Sequence, residues 1–207
     1  MKALRFNNLV YIPITKHASS SYEQLFDKTL KWERIQTDRI DWQVDKVFAH
    51  IIHPYERHLK GIYQCLEKYR ITDIINDPRF LKLLTTAVFD LHSYPLSVTF
   101  GDKIHAIDWL ILDHHRISGN HITHKFLKSY GIDVEESTIP KMNSSTIQEK
   151  ELINKIRQIR ENNNLTGTLT YFYEQDVLLY NLVNQFTMFA ELDNYHWDQV
   201  SWLANKL

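Results

Sequence analysis

The sequence predicts an α/β fold with a parallel sheet and a helix-rich C-terminal half. Three observations predict it. Short apolar runs rich in β-branched residues alternate with amphipathic helical stretches early in the chain. The first such run opens directly into a lysine, a tract of small residues and a helix. Late in the chain helical periodicity dominates. At 207 residues and 43% hydrophobic content, residues 1–207 suit one domain that can bury a sizeable core. Adjacent parallel strands would be joined by right-handed crossovers.

Leu9 to Ile14 reads as a strand covered on both faces, with β-branched Val10, Ile12 and Ile14. Ser20 with Glu23 fits a capping box, and Tyr22, Leu25, Phe26 and Leu30 give a helix over about 20–31 its apolar face. Val47 to Ile52 reads as a second buried strand, ended by Pro54, and Tyr55 to Tyr69 as a helix. Asp77-Pro78 starts another helix, to about Leu91. Ser97 to Phe100 and Ala106 to Leu112 read as short strands around the Gly101-Asp102 turn. His121 to Tyr130 is a helix closed by Gly131, and 132–144 a loop. Ser145 to Gln148 can form a capping box for a helix to about Glu161, and a final apolar helix covers Tyr171 to about Phe189.

Composition excludes several classes of function. The net charge of −1 gives no global attraction to nucleic acid, so an anion site must be a local arrangement of Lys and Arg. Cys65 is the single cysteine, which rules out an intrachain disulfide or a thiolate cluster and fits a reducing, cytoplasmic setting. No run approaches the roughly 18 apolar residues of a membrane span. The first residues, Met1 to Phe6, lack a signal core, so secretion is not expected.

The first strand and helix make a phosphate cradle. A helix N-terminus offers free backbone N–H groups and a positive dipole end. Lys16 adds a mobile charge, and Ser19, Ser20 and Ser21 add hydroxyl donors. The segment is not a Walker A loop, because no Gly-x-x-x-x-Gly-Lys-[Ser/Thr] occurs.

A second segment, His53-Pro54-Tyr55-Glu56-Arg57-His58-Leu59-Lys60 after the strand ending at Ile52, resembles the second signature of the sulfotransferase superfamily, Arg-x-Pro-Tyr-Glu-Arg-x-x-Ser after a strand. The stretch Ile14-Thr15-Lys16-His17-Ala18-Ser19-Ser20-Ser21 resembles that superfamily's first signature, with the same spacing from lysine to helix. The short interval between the motifs is similar to that of the carbohydrate-type members. Weaker echoes follow in order: Asp90 to Pro95 with its His92, Ala106 to Asp113, Lys141 to Ser145, and Tyr173 to Asp176. The cofactor motifs thus occupy 9–63, and acceptor-side and helical elements occupy 77–207.

The resemblance implies a P-loop-like three-layer fold with a central parallel sheet flanked by helices, and transfer of a sulfuryl group from 3′-phosphoadenosine 5′-phosphosulfate to a hydroxyl of a carbohydrate or other small acceptor, leaving adenosine 3′,5′-bisphosphate. By that analogy Lys16 and the N–H groups of His17, Ala18, Ser19, Ser20 and Ser21 hold the 5′-phosphosulfate. Arg57 and Lys60 serve the 3′-phosphate. Such a transfer works by in-line positioning and charge stabilisation, with Lys16 neutralising the bridging oxygen and no metal needed. In the first motif Thr15 replaces the family's proline and Ala18-Ser19 its Gly-Gly, and the second motif departs at two positions. Its first arginine falls on Ile52 and its serine on Lys60, and lysine is a point charge rather than a bidentate fork.

A hydroxyl acceptor needs a general base. His92 is the first candidate by its match to the family's mid-chain histidine, followed by His53 and His17, with Glu33 as a carboxylate alternative. His50 alternates with apolar neighbours and reads as a hydrogen-bonded core residue. His121 and His124 share a helix face, but no carboxylate or cysteine pattern accompanies them, so no metal site is expected. Two rival readings remain: a sulfotransferase-fold binding protein without catalysis, motivated by Ile52 and Lys60, and a nucleotide-dependent phosphotransferase, motivated by the anion loop.

Overall fold

A computed structural model describes residues 1–14, 17, 19–74, 76–89, 93–113, 115–139, 147–163 and 166–187. The chain opens with β1 (Lys2–Phe6) and β2 (Leu9–Tyr11), joined by a two-residue hairpin whose Asn7 takes φ 53°. Asparagine tolerates this left-handed backbone better than most side chains. Then come α1 (Ser19–Glu23), which widens into a π-helical segment at Gln24–Thr29, and β3 (Glu33–Gln36). β4 (Lys46–Ile51) leads into α2 (Pro54–Lys68), and α3 covers Pro78–Thr85. α4 (Leu96–Phe100) runs through a 3₁₀ stretch, Gly101–Ala106, into β5 (Ile107–Ile111). Four helices complete the described chain: α5 (Gly119–Ser129), α6 (Ile147–Asn162), α7 (Thr166–Phe172) and α8 (Glu174–Thr187).

The fold is mixed α/β and helix-rich, and its five-stranded sheet has the order β3-β1-β2-β4-β5. β2 pairs parallel with β4, and β4 with β5, but β1 runs antiparallel to both its neighbours. The expectation of a wholly parallel sheet is therefore corrected. β1 and β3 carry charged residues at exposed positions and give no continuous apolar run, so they read weakly as strands.

Helical elements meet both faces of the sheet. Tyr11, Phe48 and His50 project to one side, where they pack against Tyr22 and Phe26 of the first helix and Phe126 of α5. Trp109, in register with Ala49, projects to the other side. There it meets Phe100 and donates its indole N–H to the Ile104 carbonyl at 3.0 Å. A second apolar cluster joins α2, α3 and α6 through Leu59, Ile62, Leu66, Phe80, Leu84, Ile153 and Ile156.

Several predicted elements change. The strand at Ser97–Phe100 is instead part of α4, because the Asp176 carboxylate on α8 accepts the amides of Leu96 and Ser97 at 2.6 and 2.9 Å and caps a helix there. Strand propensity is overridden by a tertiary contact. Ser20 lies inside α1 rather than at its cap. The helix begun by Asp77 and Pro78 stops at Thr85, where the Thr85 and Thr86 hydroxyls donate back to the carbonyls of Leu81 and Lys82. The final apolar helix is broken at Tyr173 into α7 and α8. The Ser145 capping box lies outside the described residues.

Candidate functional site at the sheet's carboxyl edge

From β2 the chain travels toward β3 on one flank, and from β4 toward β5 on the other. The connections diverge between β2 and β4, and the carboxyl ends of those strands frame the crevice where open α/β sheets bind ligands. Both sequence motifs sit here. The loop after β2 enters α1, and His53-Pro54 turns β4 into α2.

His17 lies in that loop and is fully buried. Its Nδ1 is 2.5 Å from the His50 carbonyl, which only accepts, so Nδ1 carries the proton and Nε2 presents a lone pair. Nε2 is buried with no hydrogen-bond partner. Burial, then the Arg57 charge, hold its pKa well below the ordinary histidine value; His50 and Lys60 add to the effect, and the hydrogen bond to the His50 carbonyl opposes it. His17, Arg57 and Lys60 are thus brought into electrostatic reach of one another. Arg57, 4% exposed, donates from Nη1 to the Tyr94 carbonyl at 2.6 Å. It also lines an open cavity of about 470 Å³ with Pro13, Ile14, Tyr94, Leu96 and Phe100. A buried guanidinium at the mouth of two strand ends is a fit for an anionic group.

The other predicted residues divide. Ser21 is 7% exposed and Ser20 exposed on α1, whose first residue is Ser19. Lys60 is half-buried on α2, and Ile52 is 5% exposed in the apolar core, so no cation stands where the family's first arginine would. Lys16, Ala18 and His92 lie outside the described residues.

His53 acts as the cap of α2: its Nδ1 accepts the Tyr55 amide at 3.3 Å. The neutral ring therefore carries its proton on Nε2 and is a donor there, not a base. Burial lowers its pKa, opposed by Asp113 and Glu56. The backbone N–H of His53 donates to Asp113 Oδ2 at 3.1 Å, and the Tyr180 hydroxyl of α8 donates to Oδ1 at 3.1 Å. Burial and the Asp113 carboxylate push the Tyr180 pKa up, which keeps it a donor. Sequence reasoning did not assign either residue to the site. The available signal was Asp113 closing an apolar run, a polar residue at the carboxyl end of a buried strand.

His50 is a core residue, as its pattern predicts. Thr123 directs its hydroxyl proton to the Gly119 carbonyl at 2.8 Å, so His50 Nε2 donates to Thr123 at 3.0 Å and Nδ1 accepts from Tyr11 at 3.3 Å. Its pKa is lowered to about 3 by burial. The late Tyr173-to-Asp176 segment is a staple. The Tyr173 hydroxyl donates to the carbonyls of Ala87 and Ser93, while Asp176 holds α4. Together they fix the segment whose Tyr94 meets Arg57. His121 pairs with Glu136 at 3.0 Å and His124 donates to the Val134 carbonyl at 2.6 Å, so the two rings serve separate contacts.

Compared with protein-family models, curated proteins and solved structures, the chain matches none.

Proposed function

We propose that this chain is a sulfuryl transferase that takes 3′-phosphoadenosine 5′-phosphosulfate as donor and a hydroxyl of a carbohydrate or other small molecule as acceptor. The observation that carries the reading is the juxtaposition of the two signature-like segments at one crevice, where the buried Arg57 of the second lines a cavity with Ile14 of the first. The P-loop-like three-layer arrangement belongs to the same proposal.

When bound, the donor supplies an activated sulfuryl group. The chain's own part is to hold and polarise it. Lys16 and the amides at the start of α1 bind the phosphosulfate, and the helix dipole favours its charge. Arg57 and Lys60 hold the 3′-phosphate, the first pre-set by its bond to Tyr94. Arg57 is 4% exposed, and its low-dielectric surroundings strengthen an ionic contact made through the cavity it lines with Pro13, Ile14 and Tyr94. An intracellular, reducing setting goes with this reading.

The buried apolar Ile52 favours a second reading, a binding protein that keeps the nucleotide crevice without turnover. Calorimetry with adenosine 3′,5′-bisphosphate tests both. Binding that weakens at least tenfold in Lys16→Ala and in Lys60→Ala is the expected result. No binding at millimolar ligand would overturn the donor assignment, and binding without turnover of any acceptor would favour the second reading.

A further inference from the structure

Neither the sulfotransferase resemblance nor the histidine pattern gives Asp113 a role, yet its carboxylate meets the carboxyl end of β4 at the His53 amide. It follows β5, two strands away from β2, and adjacent strands lie about 4.8 Å apart. The side chain leans back over the end of β4, because Oδ2 accepts the His53 amide at 3.1 Å. Oδ1 accepts the Tyr180 hydroxyl at 3.1 Å, and Asp113 remains exposed. An ionised carboxylate has about four lone-pair positions, so each oxygen keeps acceptor capacity on its solvent side. His53 cannot compete for a proton through Nδ1, which is engaged by Tyr55. His17 is fully buried, out of reach of an acceptor molecule.

We propose that Asp113 is the general base of the acceptor site, positioned by Tyr180 and the His53 amide. The inference rests on the sulfuryl-transfer reading. In the step, the acceptor O–H bond breaks and its proton passes to an Asp113 oxygen. The acceptor oxygen forms a bond to sulfur. The bond from sulfur to the bridging oxygen breaks, and its electron pair leaves on adenosine 3′,5′-bisphosphate. Tyr180 is a positioning residue, since it acts through Asp113.

The experiment compares wild type, Asp113→Asn and Tyr180→Phe with two hydroxyl acceptors, N-acetylglucosamine and 4-nitrophenol, at mildly alkaline pH. The sugar hydroxyl needs a base, whereas 4-nitrophenol is already ionised. Asp113→Asn should lower kcat for the sugar about 10²- to 10⁴-fold and for 4-nitrophenol much less. It should erase the acid limb of the kcat/KM profile for the sugar and leave bisphosphate affinity unchanged by calorimetry. Tyr180→Phe should keep that limb and lose less activity. A spectrophotometric titration, independent of turnover, should show the Tyr180 ionisation moving down in Asp113→Asn. Equal losses with both acceptors, or an intact acid limb, would make Asp113 a tether and overturn the proposal. Wild type that fails to bind the bisphosphate overturns the function reading and this inference together. Binding with no turnover of either acceptor overturns the inference, leaves the nucleotide site standing and favours the reading as a binding protein.

Discussion

Asp176 in the first turn of α8 accepts the backbone amide of Leu96 at 2.6 Å across 80 residues of sequence. One carboxylate thereby starts α4, joins it to α8 and fixes the segment that carries Tyr94 to Arg57. Asp176→Ala should lose about 2 kcal/mol by urea unfolding, the sum of a lost cap and stranded amides. On the sulfuryl-transfer proposal, binding of adenosine 3′,5′-bisphosphate should weaken with it. A stability change within 0.5 kcal/mol would show that the cap is replaceable by water.

Buried neutral histidines give the protein a defined acid sensitivity. His17 and His50 are held below the ordinary histidine value, mainly by burial. In the unfolded chain they bind protons near pH 6.5. The native state therefore binds fewer protons in this range, and stability is fully present above that pH and falls as pH drops toward the folded values. Each group contributes a slope of about 1.4 kcal/mol per pH unit. Between pH 6.5 and 5 the two together should steepen the curve, and His50→Gln should remove about one proton from the slope. Unfolding midpoints across that window measure it.

Gly119 opens α5 against the end of β5. A Cβ there would stand 2.9 Å from the Leu112 backbone, so the helix start and the strand end cannot both keep their places. Gly119→Ala should destabilise by about 1–3 kcal/mol, read by thermal unfolding. Because Asp113 follows Leu112, on the sulfuryl-transfer proposal the same variant should also lower turnover more than it weakens donor binding.

On the far side of α2, Arg160 of α6 donates to His58 Nδ1 at 2.7 Å, and the ring's Nε2 donates to the Thr86 carbonyl at 3.2 Å. Burial pulls the Arg160 pKa down to about 10. Arg160→Met should cost about 1–3 kcal/mol. The double variant with His58→Phe should cost less than the two singles combined, the deficit measuring their coupling. Strict additivity would show that the contact carries no net energy.

The parts of the fold that were legible in the sequence are those where local pattern and tertiary role agree. β4, with its continuous apolar run, and α2, with Pro54 in its first turn, match their predicted spans closely. Asp77 accepts the Arg79 amide at 2.8 Å as a helix cap should. Illegible were elements decided at a distance. α4 owes its cap to Asp176, and β1 owes its place to a hairpin at Asn7-Asn8 rather than to apolar content. The site divides in the same way. Arg57 and His17 could be read from their motifs, but Asp113 and Tyr180 meet only after β5 and α8 have docked.

The parallel pairing of β4 with β5 also bears on how the molecule is made. The β1–β2 hairpin brings together near neighbours, and such local pairs close in microseconds. The bond from His53 to Asp113 spans 60 residues, and contacts of that separation form late because chain closure must precede them. The joining of the β5 end to β4 is therefore expected late in folding. A newly made chain is expected to acquire its hairpin first and the β4–β5 contact last, so protection of the His53 amide during refolding reports the docking of β5 rather than the first collapse.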